Sequence, residues 1–353
     1  MDRAQPAAPV TLKFDAGVAW PGENALQIAV DLFVPPAGVT PRALLWCLPG
    51  GNMNRRYYDL IPPAGADGGD LIPPAGTGGG EADTSFSFAR TMAAQGFVVA
   101  SVDYLGLGDS SKPADGWRCT PDTLTAINRH VLETLLAQLR DGRAHPRLAA
   151  VPELVSIGVG HSMGSMMTIL QQAAHAPHAA VVLLGFSTRG LPEYLPPQLK
   201  GIDDPLAARP LLVEVAKRMY GGQPFPVIHT ARAGNSELFG SRKADPRGVA
   251  ALKAATDCML PVPATLSMVP GNVAPEAATI TVPVFLGVGA RDMVGPVHQV
   301  PTAFTGSSDL GLLVLPETGH SHFLFATRTR LFRRIAHWLD AVLDSERSCG
   351  TTA

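Results

Sequence analysis

The chain has 353 residues and a mass of 37.0 kDa, enough for one large α/β domain or two small ones and for burial of about three quarters of the unfolded surface. Hydrophobic residues at 46%, charged residues at 16%, 36 glycines and 32 prolines exclude wholesale disorder. A formal net charge of -2, with no Lys/Arg cluster long enough to neutralise a row of phosphates, argues against a nucleic-acid partner.

In chain order, the looser alternation at 10–14 and 26–33 predicts an antiparallel edge hairpin turning at Pro21-Gly22-Glu23-Asn24. Apolar runs at 43–48 (ALLWCL), 97–102 (FVVASV), 154–159 (LVSIGV), 179–184 (AAVVLL), 282–288 (VPVFLGV) and 311–315 (GLLVL) read as strands buried on both faces. Helical stretches at 84–95, 120–140, 162–175 and 323–343 lie between or after them. The alternation predicts a doubly wound, mostly parallel α/β sheet of about eight strands.

Two segments interrupt this rhythm. Residues 59–80 read DLIPPAGADGG and then DLIPPAGTGGG, one unit written twice. The Pro-Pro and Gly-Gly pairs cannot hold a helix or a central strand, so 59–83 is expected to be an extended, mobile surface loop. Residues 188–280 separate two strands by far more than the roughly 2–6 residues usual for such a connection. They are expected to form an inserted, mainly helical cap, with helical spacing at 210–220 and 245–259, leaving 1–187 and 281–353 as the core.

Cys47, Cys119, Cys258 and Cys349 are far apart and form no CxxC pair, which suggests structural thiols and neither a zinc knuckle nor a disulfide framework. The opening MDRAQPAAP lacks the apolar stretch of a signal peptide, and no run of about 18 apolar residues occurs. The expectation is a soluble cytoplasmic protein with no membrane partner.

The chemistry concentrates in three places. LVSIGVGHSMG carries an apolar run into Gly160-His161-Ser162-Met163-Gly164 and then into a helix. Glycines on both sides allow a strand-to-helix turn too tight for a Cβ, holding Ser162 proud as a candidate nucleophile. A serine hydroxyl needs a base oriented by a carboxylate. Asp292 follows the strand at 282–288 and His320 follows the strand at 311–315. In a parallel sheet both lie at one edge with Ser162. Glu317 is an alternative orienting acid and His322 an alternative base, although packing or substrate contact suits His322 better. Asp103 and Asp109, in DYLGLGDS, read as a structural turn, and His161 reads as a packed, hydrogen-bonded side chain.

An oxyanion needs two donors. The Met163 amide at the helix start is one. The loop Pro49-Gly50-Gly51-Asn52-Met53-Asn54 offers the other, with Gly51 preferred over Asn52. Tyr57, Tyr58, Tyr220, Phe225, Phe239, Met259 and Met268 could line an apolar pocket, and each fits the core of the cap equally well; Asn52, Tyr57, Tyr220, Phe225, Phe239 and His322 are the candidate substrate contacts.

On these motifs, from about residue 26 to 343, the chain resembles the α/β-hydrolase superfamily, in its serine-nucleophile, capped branch. The oxyanion loop here has Pro49-Gly50 where His-Gly is often found. The resemblance implies the order Ser, Asp, His, the cap at 188–280, and no metal or organic cofactor. It does not specify a substrate: the triad implies hydrolysis of an ester-type carbonyl through an acyl-enzyme, and the apolar composition of the cap favours a carboxylic ester or lactone of a moderately large, uncharged apolar small molecule. An amidase, thioesterase or transacylase would use the same triad; a carbon–carbon hydrolase or lyase, or a non-enzymatic receptor, could use the same fold.

Overall fold

A computed structural model describes residues 8–64, 82–201, 204–221 and 243–349. Eight strands, β1 (Val10–Asp15), β2 (Gln27–Phe33), β3 (Leu44–Leu48), β4 (Val98–Val102), β5 (Ser156–His161), β6 (Ala180–Leu184), β7 (Val284–Gly289) and β8 (Leu310–Leu315), form one sheet. Its order is β1-β2-β4-β3-β5-β6-β7-β8. The β1/β2 hairpin pairs antiparallel at one edge and every pair from β4 onward is parallel.

Strands β3 to β7 are buried along their whole length, which requires apolar cover on both faces. The residues of β3 alternate accordingly. Leu44, Trp46 and Leu48 join the core formed with helices α2 (Pro121–Arg140) and α3 (Met163–His175). Leu45 and Cys47 join the opposite core, formed with α1 (Phe88–Ala94) and the C-terminal helix Arg328–Cys349.

Helix starts follow side-chain capping. Thr120 accepts from the Thr123 amide with Pro121 in the first turn, and Ser87 accepts from the Arg90 amide. That cap moves the start of α1 to Phe88 from the expected residue 84. Expected at 323, the last helix starts at Arg328, because Phe323 is drawn into a turn where it stacks on Tyr57 and Phe88. In the 188–280 segment, helices occur at Leu212–Tyr220 and Pro246–Ala255. The helices Pro261–Met268 and Ala274–Thr279 were not expected from the sequence. Their prolines occupy the first turn, where no backbone N–H is needed. Of the 59–83 loop, residues 65–81 lie outside the described residues, as do Phe225 and Phe239. Among the described residues no helix is long and apolar enough to cross a membrane. Cys47 and Cys119 are buried free thiols, and Cys258 is partly buried.

The seam between α3 and β5 is polar as well as apolar. His178 Nδ1 lies 2.6 Å from the Ser156 hydroxyl, and its Nε2 lies 3.3 Å from Gln171 Oε1. Its backbone exchanges two hydrogen bonds with the Gln172 amide group. The Gln171 carbonyl can only accept, so Nε2–H donates and Nδ1 accepts from Ser156: a neutral ring with both nitrogens satisfied. Burial lowers the His178 pKa to about 3 from an ordinary value of 6.5. Between those values the unfolded chain binds a proton that the folded chain refuses, so stability is complete above about pH 6.5 and falls as the pH drops toward 3. His178→Gln should remove about one proton's worth of this acid sensitivity, roughly 1.4 kcal/mol per pH unit. Urea unfolding of both proteins from pH 7 to 4 measures it.

Candidate active site

The turn between β5 and α3 is built by exclusion of side chains. Ser162 has φ 54° and ψ −121°, a region L-residues seldom adopt. A Cβ on Gly160 would stand 2.4 Å from Ser165 Cα, and one on Gly164 would stand 2.0 Å from the Leu48 carbonyl oxygen. Only glycine fits at either place, so the two glycines of the motif permit the contact between β3, β5 and α3. The Ser162 amide donates to the Leu184 carbonyl (2.8 Å), tying the turn to the end of β6.

Two other turns deliver the partners of Ser162. Beyond β7 the Arg291 amide donates to the Thr318 carbonyl (3.0 Å), and Ala290 donates to Leu315 (2.8 Å). These bonds fasten the turn carrying Asp292 to the turn carrying His320. Ser162 Oγ lies 2.8 Å from His320 Nε2, and His320 Nδ1 lies 2.7 Å from Asp292 Oδ1. A carboxylate only accepts, so Nδ1 carries the proton and Nε2 presents its lone pair to the serine. The three groups predicted to meet are thus within hydrogen-bond reach.

The Asp292 side chain is fully buried, and burial raises its pKa. The imidazoles of His320 and His322 outweigh that effect and hold the carboxyl well below its ordinary range. His161 donates Nε2–H to the His320 carbonyl oxygen (2.9 Å). Burial, reinforced by the two neighbouring imidazoles, pushes the His161 pKa well below 6.5, so it is a neutral anchor for the backbone of His320. Gly185, at φ 59°, fits into the same cluster. A Cβ there would stand 3.3 Å from Asp292 Oδ2, His161 Nε2 and His320 Cε1 alike.

Several sequence expectations are corrected. Tyr57 is fully buried, stacked on Phe323 at 4.9 Å between ring centres and packed on His161 at 4.6 Å, so it is core that supports the histidine cluster. Tyr58 is equally buried and donates to the Leu48 carbonyl (2.9 Å). His322 makes no surface for substrate: it is buried with Nε2 2.9 Å from Asp292 Oδ2. Glu317 is not the orienting acid; it pairs with Arg291 and Lys243 at the surface. Tyr220 is half-buried against the core that includes α2 and α3. Asn52 is buried at φ 63° and its carbonyl accepts from the Asp257 amide (2.7 Å). Met259 does approach the site, with Sδ 3.0 Å from where a Gly51 Cβ would stand.

A narrow recess of about 40 Å³ opens on Ser162 and His320, walled by Met163, Phe186, Leu191, Met293 and Val294. The hydroxyl-bearing Ser187 and Ser267 also face it. Phe186 and Met293 follow the ends of β6 and β7, a position that could have singled them out. A wider groove of about 640 Å³ lies toward the far end of α3, around Leu170 and His175, away from the serine at the helix start. Among the described residues no cluster of three or more His, Cys, Asp or Glu side chains could hold a metal ion.

The loop after β3 is pinned on two sides, which the sequence did not reveal. Arg55 is buried against Asp31 (2.9 Å), Asp103 and Asp109 (2.7 Å), and its amide donates to Asp103 Oδ1 (2.7 Å). Desolvation opposes the guanidinium charge, but these carboxylates hold it firmly protonated. Burial still raises the Asp103 carboxyl above its ordinary range. On the other side, residues Asn52, Met53 and Asn54 pair with the inserted segment. Asn54 N–H donates to Ala255 (2.9 Å), Met53 bridges Thr256, and the Asp257 carboxylate accepts from Gly108 N–H (2.9 Å) and Asn54 Nδ2 (3.3 Å).

With this geometry in view, comparison with known proteins is decisive for the family. The model of the alpha/beta hydrolase family matches residues 47–332. The chain belongs to that family. No curated protein sequence matches it significantly. Among solved structures, the chain is similar to the monoacylglycerol lipase of Paleococcus ferrophilus at 16% identity and TM-score 0.57, covering 90% of this chain and 99% of that one. It is similar to a highly thermostable carboxyl esterase from Bacillus coagulans at 17% identity and TM-score 0.55, over 96% and 99%. A third is an alpha/beta hydrolase fold protein from Chitinophaga pinensis at 14% and TM-score 0.56, over 96% and 99%. At these identities the likeness is one of fold.

Arg55→Met should leave the buried Asp103 without its counter-charge and cost roughly 3–5 kcal/mol of stability. Urea unfolding at pH 7 checks this; a loss below about 1 kcal/mol would mean the cluster contributes little.

Proposed function

We propose that this alpha/beta hydrolase is a serine hydrolase that cleaves a carboxylic ester or lactone of a moderately large apolar small molecule through an acyl-enzyme. The observation that carries the reading is the unbroken chain of contacts from Ser162 through His320 to Asp292. Ser162 Oγ attacks the carbonyl carbon while its proton passes to His320 Nε2, and Asp292 fixes the tautomer and balances the imidazolium. Collapse of the tetrahedral intermediate breaks the bond to the alcohol, which leaves with that proton. Water, deprotonated by His320, then attacks the acyl carbon and Ser162 recovers its hydrogen.

The negative oxygen is held by the amides of Met163 and Gly51. Met163 opens α3, so its N–H has no carbonyl four residues earlier and sits at the positive end of the helix. Gly51 lies on the same side, with Met163 Sδ 4.0 Å from where its Cβ would stand. Residues 188–280 act as a cap: Leu191 and Ser267 wall the recess, and Met259 abuts the Gly51 position. The recess favours an uncharged substrate through its apolar walls and a short acyl group through its size. The larger apolar part of the substrate is then the alcohol. The reaction needs no metal or organic cofactor, and we place it in the cytoplasm.

Ser162→Ala should abolish both turnover of aryl esters and covalent labelling by a serine-reactive phosphonate. Full retained activity overturns the nucleophile. Asp292→Asn should lower kcat by about four orders of magnitude. Across aryl esters of acetate to decanoate, kcat/KM should be highest for the shortest chains. A maximum at decanoate would reject the acyl-side reading of the recess, and turnover of amides or thioesters alone would reject the ester reading.

A further inference from the structure

Asp292 carries two imidazoles, and only one of them reaches the serine. We propose that His322 is a positioning residue for catalysis, donating Nε2–H to Asp292 Oδ2 so that Oδ1 stays locked on the Nδ1 proton of His320. The inference rests on the serine-hydrolase reading above, and the residue acts through Asp292 and touches no substrate.

The backbone explains how residues 320 and 322 reach one carboxylate. Ser321 has φ −85° and ψ 79°, and the His322 amide donates to the His320 carbonyl (3.1 Å), an inverse γ-turn that folds the two rings together. His320 Nδ1 then takes Oδ1 at 2.7 Å and His322 Nε2 takes Oδ2 at 2.9 Å. Both oxygens belong to a fully buried side chain, so an oxygen without a donor would carry the desolvation penalty of a bare charge. With His322 absent, Oδ2 would lose that partner and the carboxylate would be free to turn toward other contacts. Gly185 leaves the space Oδ2 occupies, since a Cβ there would stand 3.3 Å from it.

The tautomer is fixed by the same geometry. Because the carboxylate only accepts, His322 must carry its proton on Nε2. Its Nδ1 is buried and has no hydrogen-bond partner among the described residues, as befits a lone pair. The groups facing this ring are Asp292 and the His161 ring, 5.8 Å away between centres, with Tyr57 packed behind His161. An apolar side chain would fill the same volume without its N–H, so burial alone does not call for histidine at this place.

His322→Leu removes the donor, and His322→Gln keeps an N–H near the position of Nε2. For the leucine variant we expect kcat roughly ten- to a hundredfold lower, the range of one hydrogen bond to a charged group, with KM within about twofold. The acidic limb of kcat/KM should move to higher pH by roughly half a unit, because a carboxylate relieved of one donor attracts the His320 proton more strongly. The glutamine variant should recover most of the kcat. Unchanged kcat and pH profile in a folded leucine variant, or a glutamine variant no better than leucine at equal thermal stability, would overturn the proposal. Nitrogen-15 NMR of histidine in the wild-type protein tests it without any variant: His322 should be protonated on Nε2, and protonation on Nδ1 alone overturns it even if the leucine variant fails to fold. Failure of the underlying reading looks different, since the wild-type protein would then resist the phosphonate at Ser162.

Discussion

The close approach of α3 to the ends of β3 and β5 is the constraint on which the rest of the site depends. Gly160 and Gly164 let backbone meet backbone where any side chain would collide with Ser165 or the Leu48 carbonyl. The price of that contact is a residue held at φ 54°, and the residue is Ser162. Held there, the hydroxyl is presented at the start of a helix, facing the edge where β7 and β8 end. The strain is local, while the structure that tolerates it is the whole central sheet, buried on both faces and largely apolar.

A second layer of organisation is polar. The loop after β3 could supply a backbone donor only if its position were fixed, and it is fixed by charge on one side and by backbone pairing on the other. Arg55 draws carboxylates from β2 and from the turn after β4 to the base of the loop. Asp257 brings the inserted segment to its tip while also binding Gly108. Displacement of residues 255–257 would therefore disturb the loop through hydrogen bonds, so the inserted segment and the loop after β3 are mechanically one assembly.

Much of the fold and the meeting of Ser162, Asp292 and His320 were legible in the sequence because their signals are local. Apolar runs marked the strands, and Gly160-His161-Ser162-Met163-Gly164 marked the tight turn. Asp292 and His320 each follow an apolar run, which places them at one sheet edge once the strands are parallel. What was not legible depends on contacts distant in the chain. Arg55 belongs to no motif, and its three aspartate partners come from β2 and from the turn after β4, far from it in the chain. Tyr57 and His322 are residue types equally at home in a pocket and in a core; stacking on Phe323 and contact with Asp292 decide in favour of the core. Gly185 gave no motif, because its role is to leave room for atoms of Asp292, His161 and His320, which come from three other segments.

The histidine cluster shows why burial serves this chemistry. Burial, helped by the neighbouring imidazoles, keeps His161 uncharged, and burial beside the Asp292 charge keeps the Tyr57 phenol protonated. The carboxylate of Asp292 is the charge that survives there, held by imidazole N–H donors in place of water. In a medium of low polarisability, such a charge interacts with its surroundings far more strongly than it would in solvent. In the proposed reaction, the proton arriving on His320 creates a positive charge beside that fixed negative one, with the donors already oriented. Neutral neighbours are therefore as necessary as the charged one: a cation at His161 would oppose the imidazolium, and an anion at Tyr57 would compete with Asp292 for it.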